Sequence, residues 1–93
     1  MSEIEVRTVD VERLASRFHV RVADADESAT EHDVTLSAVD HERLGAGYPD
    51  PDAFVHACFG FLLARERKGS ILRSFDVSQI ATYFPGFEAE IAR

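Results

Sequence analysis

Histidine and cysteine side chains are the residues of this chain best suited to holding a metal ion. The candidates are one cysteine and four histidines: Cys58, His19, His32, His41 and His56. His56 and Cys58 are close in sequence, but on a helix residues two apart point about 160° away from each other. The other histidines belong to separate segments and lack the pairwise spacing of a zinc site. The sequence therefore predicts no metal site and no cofactor.

The same cysteine would be a nucleophile only if its thiolate were accessible and activated. Cys58 instead lies in an apolar segment with Phe54, Phe61 and Leu62, and apolar burial raises the pKa of a thiol. The chain has neither a glycine-rich phosphate loop nor a GxSxG elbow. We expect a buried, inert cysteine, no catalytic residue, and a protein that is not an enzyme.

The acidic segment at residues 24–32 was compared with the calcium loop of an EF-hand. Asp24 and Asp26 would stand at its first and third positions. Ala29 and Thr35 stand where that loop needs a glycine and a bidentate glutamate. The match fails. Since the segment has four acids and no glycine, we expect a long mobile loop and not a tight hairpin turn.

Four of the ten basic side chains form the one basic cluster of the sequence: Arg65, Arg67, Lys68 and Arg73. Positive charge suits the C-terminal end of a helix. If residues 51–68 form a helix, Arg65 points toward its bulky apolar side, near Phe61 and Leu62. Its stem should cover this surface while its guanidinium reaches a carboxylate or a helix-end carbonyl. A second hypothesis is an anion-binding site formed by Arg65, Arg73 and Tyr83.

Length and composition bound the class of protein. The 93 residues, 45% hydrophobic and 29% charged, are typical of one globular domain spanning residues 1–93. The net charge of −7 argues against nucleic acid as a partner. The longest apolar run covers only residues 61–64, too few to span a membrane. With no leader pattern and one cysteine, we expect a cytoplasmic protein.

Three segments with alternating polarity predict a short antiparallel sheet of about three strands. They are residues 4–8, 18–23 and 34–39. Asp10 stands where an N-cap would precede a brief helical turn over residues 11–17. A second helical turn is predicted over residues 40–44.

The longest predicted helix covers residues 51–68 and is apolar over roughly 260° of its circumference. Asp50 is its expected N-cap and Pro51 its first residue, and Gly69 stands where a C′ glycine belongs. A helix that rests on a single sheet needs an apolar stripe only about 100° wide. This one must therefore be covered from at least two sides.

The C-terminal residues predict short helical pieces. A helical turn is favoured over an extended segment at residues 70–75. Asp76 and Gln79 have the spacing of a capping box, and the helix that they begin should end near Phe84, since a proline follows. Residues 85–93 are expected to form a last helical turn.

Small side chains form one stripe along the main helix: Ala53, Ala57, Gly60 and Ala64. Such a stripe allows close approach of another backbone. We expect the sheet to cover the bulky side of the helix and residues 71–91 to lie along the small stripe. Replacing Gly60 by leucine should then cost about 1–3 kcal/mol.

The second half of the chain resembles a group of short prokaryotic proteins that carry no assigned activity. The resemblance rests on two runs within residues 49–87, PDPDAFVHACFGFLLARE and SILRSFDVSQIATYFPGF. A looser similarity connects the chain with HicB-like antitoxin domains, in which two or three strands precede a helix that begins with a proline. The chain departs from those domains in lacking their tyrosine- and glycine-rich strand pairing and their DNA-binding tail. This similarity is at the level of fold.

We interpret the chain as a small α+β domain in which the sheet packs on one long central helix and a C-terminal helical segment wraps over it. The leading functional hypothesis is a non-enzymatic protein-interaction or regulatory module that self-associates, as a homodimer, or binds another protein. Its predicted contacts are Tyr83, Phe84 and Phe87, because aromatic residues are enriched at interfaces. The alternatives are a module that binds a small molecule or an anion, and an antitoxin-like regulator.

Overall fold

The computed structural model describes residues 2–26 and 28–92. Three long strands come first: β1 (Ser2–Val11), β2 (Ala15–Asp24) and β3 (Ala29–Ser37). Two helices follow, α1 (Ala38–Leu44) and α2 (Pro51–Leu63), and then a 3-10 turn at Lys68–Ser70. The last elements are a short strand, β4 (Ser74–Asp76), a 3-10 turn at Val77–Gln79, and two short helices, α3 (Ile80–Tyr83) and α4 (Phe87–Ile91).

The α+β class is as predicted, but the sheet has four strands in the order β1-β2-β3-β4. The first two pairings are antiparallel, and β4 lies parallel to β3. The prediction of a helical turn over residues 70–75 is wrong after Ser70. Phe75 pairs with Val34 and is buried, and the backbone N–H of Asp33 donates to the carbonyl of Arg73 at 2.7 Å. The free edge of β3 thus stabilises an extended conformation that local sequence does not specify.

The predicted helical turn at residues 11–17 is also absent, because strand pairing takes up those residues. Asp10 does not cap a helix: it lies opposite Arg17 in the sheet, with 3.2 Å between their charged side-chain atoms. The N–H of Glu12 donates to the carbonyl of Ala15 at 3.0 Å and closes a short turn between the two strands. Long-range pairing has overridden a local capping signal.

The acidic segment forms a shorter connection than expected. The strands β2 and β3 extend into it, and the N–H of Asp24 donates to the carbonyl of Ser28 at 3.0 Å. The carboxylate of Asp26 accepts from the N–H and the hydroxyl of Ser28 at 3.0 and 2.7 Å. This side chain stabilises the turn that a glycine would otherwise form. The prediction of a long loop is wrong; Glu27 lies outside the described residues.

The start of α2 is as predicted, but its end is not. Asp50 accepts from the N–H of Ala53 at 2.7 Å, and Pro51 is the first helical residue. The helix ends at Leu63, because the N–H groups of Arg65 and Glu66 both donate to the carbonyl of Leu62 and the chain turns there. The predicted C′ glycine therefore lies elsewhere, within the 3-10 turn at Lys68–Ser70.

The core lies between the sheet and the C-terminal segment, with α2 in the middle. The buried residues of α2 are its bulky ones: Phe54, Val55, Cys58, Phe59, Phe61 and Leu62. The C-terminal segment covers this bulky side, and the ring of Phe61 lies 5.9 Å from Phe84 and 5.0 Å from Phe87. Large apolar side chains release more surface from water than small ones, which explains why this face is covered.

The predicted packing role of the small stripe is wrong. Gly60 and Ala64 are exposed, and a Cβ atom added at Gly60 would meet nothing within 4 Å. Ala53 and Ala57 are only partly buried. This side of α2 faces away from the C-terminal segment, so the expected cost of a bulky residue at Gly60 has no structural basis.

Candidate functional site

An apolar groove of about 390 Å³ lies between the end of α2 and the C-terminal segment. Seven apolar residues line it: Leu62, Ile71, Leu72, Phe75, Ile80, Tyr83 and Phe84. Four of these residues are nearly fully buried and form the floor: Leu62, Ile71, Phe75 and Ile80. At the rim, Leu72 is 46% and Tyr83 64% exposed. Two large apolar side chains thus flank a concave apolar surface.

One wall of the groove is fixed by a buried histidine. His32 is 1% exposed, and its Nδ1 lies 2.7 Å from the carbonyl of Leu72 while its Nε2 lies 2.8 Å from the hydroxyl of Thr30. Because a carbonyl only accepts, we assign the proton to Nδ1 and let Nε2 accept from Thr30. The imidazole therefore connects β3 to the segment before β4, and holds the backbone of Leu72 in place.

The opposite wall begins with a capping box. The carboxylate of Asp76 accepts from the N–H of Ser78 at 2.9 Å, and the side-chain oxygen of Gln79 accepts from the N–H of Asp76 at 2.8 Å. The prediction of this box is confirmed. It starts the 3-10 turn that leads directly into α3, and so positions Ile80 and Tyr83.

Glu66 gives the groove its charge. It is half-buried and lines the groove. Among residues 2–26 and 28–92, no side chain forms an ion pair or hydrogen bond with its carboxylate. An ionised carboxylate beside apolar surface is best stabilised by a cation.

The three predicted partner contacts have different positions. Tyr83 and Phe84 both line the groove, Tyr83 as an exposed residue and Phe84 as a half-buried one. Phe87 is 1% exposed and packs on Phe61. Phe87 therefore belongs to the core and offers no surface to a partner in this conformation.

The two predicted anion-binding residues are not brought together. Arg65 lies over the ring of Phe61, with its guanidinium carbon 3.6 Å from the ring centroid. It donates to the carbonyl of Phe61 at 3.0 Å and to Glu90 at 2.6 Å, which is the covering role expected from the sequence. Arg73 is exposed, and neither arginine lines the groove. Of these three residues, only Tyr83 lines the groove.

The remaining titratable candidates lie outside the groove. Cys58 is 1% exposed, and burial raises the pKa of its thiol to about 12, so the prediction of a buried cysteine is confirmed. His19 lies on the outer face of the sheet, with its ring nitrogens 2.7 Å from Glu31 and 3.1 Å from Asp33. In the described part of the chain, no three histidine, cysteine or acidic side chains are arranged to hold a metal ion.

The sequence does not predict that His32, Ile71 and Leu72 belong to the site, although the alternation of residues in β3 indicates the position of His32. His32 lies two residues before Val34 and four before Leu36, on the same face of β3. The alternation that predicts burial of the two apolar residues therefore extends to His32. No comparable local signal marks Ile71 or Leu72, because their burial or exposure depends on contacts with β4 and α3.

Comparison with family models, curated proteins and solved structures gives no match to this chain. The resemblances inferred from the sequence therefore remain predictions. Among the described residues, none of the helices has the length and apolar character needed to cross a bilayer. The groove is thus interpreted from its own geometry and chemistry.

Proposed function

We propose that this protein is a non-enzymatic binding module whose groove takes a bulky apolar side chain of a partner protein, next to a basic residue of that partner. The observation that carries the proposal is the open apolar groove with Leu72 and Tyr83 exposed at its rim and, in its lining, Glu66, with which no side chain of the described residues pairs. A regulatory role would be one use of such binding.

Apolar exposure at the rim supports a protein as the partner. Interfaces gain most of their affinity from a few anchors that fill well-packed pockets, and aromatic residues are enriched there. Tyr83 can contribute contact area from its ring and a hydrogen bond from its hydroxyl. The floor is already formed by buried side chains, so binding requires little ordering of the groove.

Charge supports the second part of the proposal. Glu66 is half-buried, and a lysine or arginine of the partner would pair with its carboxylate in a partly desolvated setting, where ion pairs are stronger than at an open surface. An acidic residue at the same position would be repelled. The expected ligand is therefore a short segment with one large apolar residue adjacent to a cation.

A small molecule is a second candidate, favoured by the volume of the groove. A volume of about 390 Å³ is within the range of ligand sites, which is about 300–1,000 Å³. The groove carries a carboxylate and no arginine, so a small ligand would be an apolar molecule bearing an amine and not an anion. Anion binding through Arg65 and Arg73 would have to take place outside the groove.

The test uses short peptides with one leucine or phenylalanine next to either lysine or glutamate, titrated into labelled protein and followed by NMR. We expect the lysine peptides to shift the amides of Glu66, Leu72 and Tyr83, and the glutamate peptides to bind more weakly. Tyr83→Ala should weaken binding about ten-fold or more, as for an interface anchor. Glu66→Gln should remove the preference for lysine.

Val39→Ala is the matched control, because Val39 is also 70% exposed and lies on α1, outside the groove lining. It should leave binding unchanged. The proposal would be overturned if neither peptide class shifted the groove amides, or if Tyr83→Ala and Val39→Ala affected binding equally. Binding of an apolar amine but of no peptide would favour the small-molecule function instead.

A further inference from the structure

The first strand has one edge without a strand partner. β1 is ten residues long and lies at the end of the sheet. Within the described part of the chain it pairs with β2 and with no other strand. Its outer N–H and C=O groups are therefore a template for pairing with another chain, and natural proteins usually shorten or cover such an edge.

The side chains of β1 suggest which chain would pair there. In a two-fold antiparallel pair of identical strands, residues that lie opposite each other share a face. One residue therefore lies opposite the same residue of the second copy, with the two-fold axis midway between them, and each possible axis is named after that residue. An axis at Val6 places Glu5 opposite Arg7 of the second copy, and Arg7 opposite its Glu5. Ile4 then lies opposite Thr8. Two opposite-charge pairs therefore form on the exposed face of the sheet.

The neighbouring positions of the axis are unfavourable. An axis at Glu5 places two glutamates opposite each other, and an axis at Arg7 does the same with two arginines. An axis at Ile4 places Glu3 opposite Glu5. Like charges directly opposite each other destabilise strand pairing. An axis at Glu5 also forms two pairs between Glu3 and Arg7, but among the axes from Ile4 to Arg7 only the one at Val6 has opposite-charge pairs and no like-charge pair.

Val6 lies on the face of β1 opposite to Glu5 and Arg7, and there is open space beside it. A hollow of about 390 Å³ is lined by Val6, Asp52, Ala53 and His56, next to the free edge of β1. An axis at Val6 would bring the second copy to the side of β1 where this hollow opens. Past Thr8, a bulge between Thr8 and Asp10 interrupts the regular ladder and limits the paired length.

We propose that the chain forms a two-fold dimer in which β1 pairs antiparallel with β1 of a second copy about an axis at Val6. The result is a continuous eight-stranded sheet with a closed, isologous interface. The groove lies toward β4, at the other end of the sheet, so both grooves remain open. The dimer would present two equal sites, and partners with two matching segments would bind more tightly than those with one.

The test is a charge exchange across the proposed interface, followed by light scattering coupled to gel filtration and by sedimentation equilibrium. The wild-type chain should have twice the 10.4 kDa mass of the chain. Glu5→Arg alone and Arg7→Glu alone should each shift the dimer toward monomer, by about ten-fold or more in dissociation constant, since both central pairs become repulsive.

Mixing the two single variants should restore a dimer, because the arginines of one then lie opposite the glutamates of the other. The double variant, Glu5→Arg with Arg7→Glu, should dimerise by itself. Glu3→Arg is the matched control: it makes the same charge change on the same face, but outside the two central pairs. Circular dichroism checks that each variant is folded.

A wild-type chain that remains at 10.4 kDa up to millimolar concentration would overturn the proposal. So would a dimer that Glu5→Arg and Glu3→Arg weaken equally, or one that the mixture of single variants does not restore. None of these results depends on occupation of the groove, so this proposal and the proposed function can fail separately.

Discussion

At the scale of single residues, two glycines have opposite roles although both lie in or next to helices. Gly45 follows α1 and is buried. A Cβ atom added there would lie 2.8 Å from Cδ2 of His41 and 3.0 Å from the carbonyl oxygen of the same residue. It would also lie 3.1 Å from Cγ of Phe54. Phe54 is itself fully buried and has no space into which to move. Gly60 is exposed on α2 and has no such neighbours.

We therefore expect Gly45→Ala to lower the free energy of unfolding by about 1–3 kcal/mol, as overpacking does. Gly60→Ala should raise it by about 0.5–1 kcal/mol, because alanine has the higher helix propensity. Urea denaturation of both variants measures the difference. If Gly45→Ala were as stable as the wild type, the close packing of α1 on α2 would be wrong.

Cys58 is expected to be inert in the folded protein. Its thiol is buried and its pKa is raised to about 12 by desolvation, so the reactive thiolate is scarce. Labelling by a thiol reagent should be slow under native conditions and rapid in denaturant. Rapid native labelling would show that α2 opens away from the sheet far more often than this packing allows.

His19 should give the protein a pH-dependent stability. Hydrogen bonds to Glu31 and then Asp33 raise its pKa above 6.5, so its stabilising contribution is complete below that value and is lost as the pH rises through the raised pKa. The pKa of Glu31 is lowered, mainly by the same hydrogen bond, so its contribution is lost as the pH falls below 4.5. Glu31 is exposed and His19 is partly exposed, and solvent screening keeps the effect small.

The urea midpoint should therefore decrease from pH 6 to pH 8 in the wild type and decrease less in His19→Gln. His56→Gln is the control, since His56 is exposed on α2 and is not among the partners of Glu31 or Asp33. An equal pH dependence in all three proteins would show that the contacts of His19 do not contribute.

At the scale of elements, the predictions that succeeded depend on short-range interactions. Asp50 and Pro51 start α2 as expected, and Asp76 and Gln79 form their box, because a cap involves residues only two or three positions apart. The end of α2 did not follow from Gly69. The chain turns after Leu63 and Arg65 lies over Phe61, a packing arrangement that a C-cap rule does not contain.

The capping box at Asp76 is expected to stabilise one wall of the groove. Asp76→Ala should lower the free energy of unfolding by about 0.5–2 kcal/mol, because the N–H of Ser78 loses its acceptor. Amide exchange at Ser78 and Gln79 should increase before exchange in α2 does. Gln79→Ala removes the other half of the box and should have a smaller effect of the same kind. Unchanged exchange in Asp76→Ala would contradict this role.

At the scale of the whole molecule, alternation predicted the three long strands but not the fourth. Residues 18–23 and 34–39 alternate strongly enough to indicate strands by themselves, although β3 ends at Ser37 and residues 38–39 already belong to α1. β4 has only three residues and is extended because β3 offers it a free edge. The groove could not be predicted for the same reason: Leu62, Ile71 and Ile80 come from three separate segments that meet only after β4 has paired.

The parallel pairing of β3 with β4 leads us to expect a definite order of folding. β1, β2 and β3 are joined by short turns, so their pairing closes only small loops, whereas β4 reaches β3 only after α1 and α2 have been traversed. Closing a longer loop costs more entropy and slows the step. In refolding experiments with pulsed amide labelling, we expect protection of β2 before protection of β4. With this order, the groove would form in the last step, and a partly folded chain would not yet offer the proposed binding site.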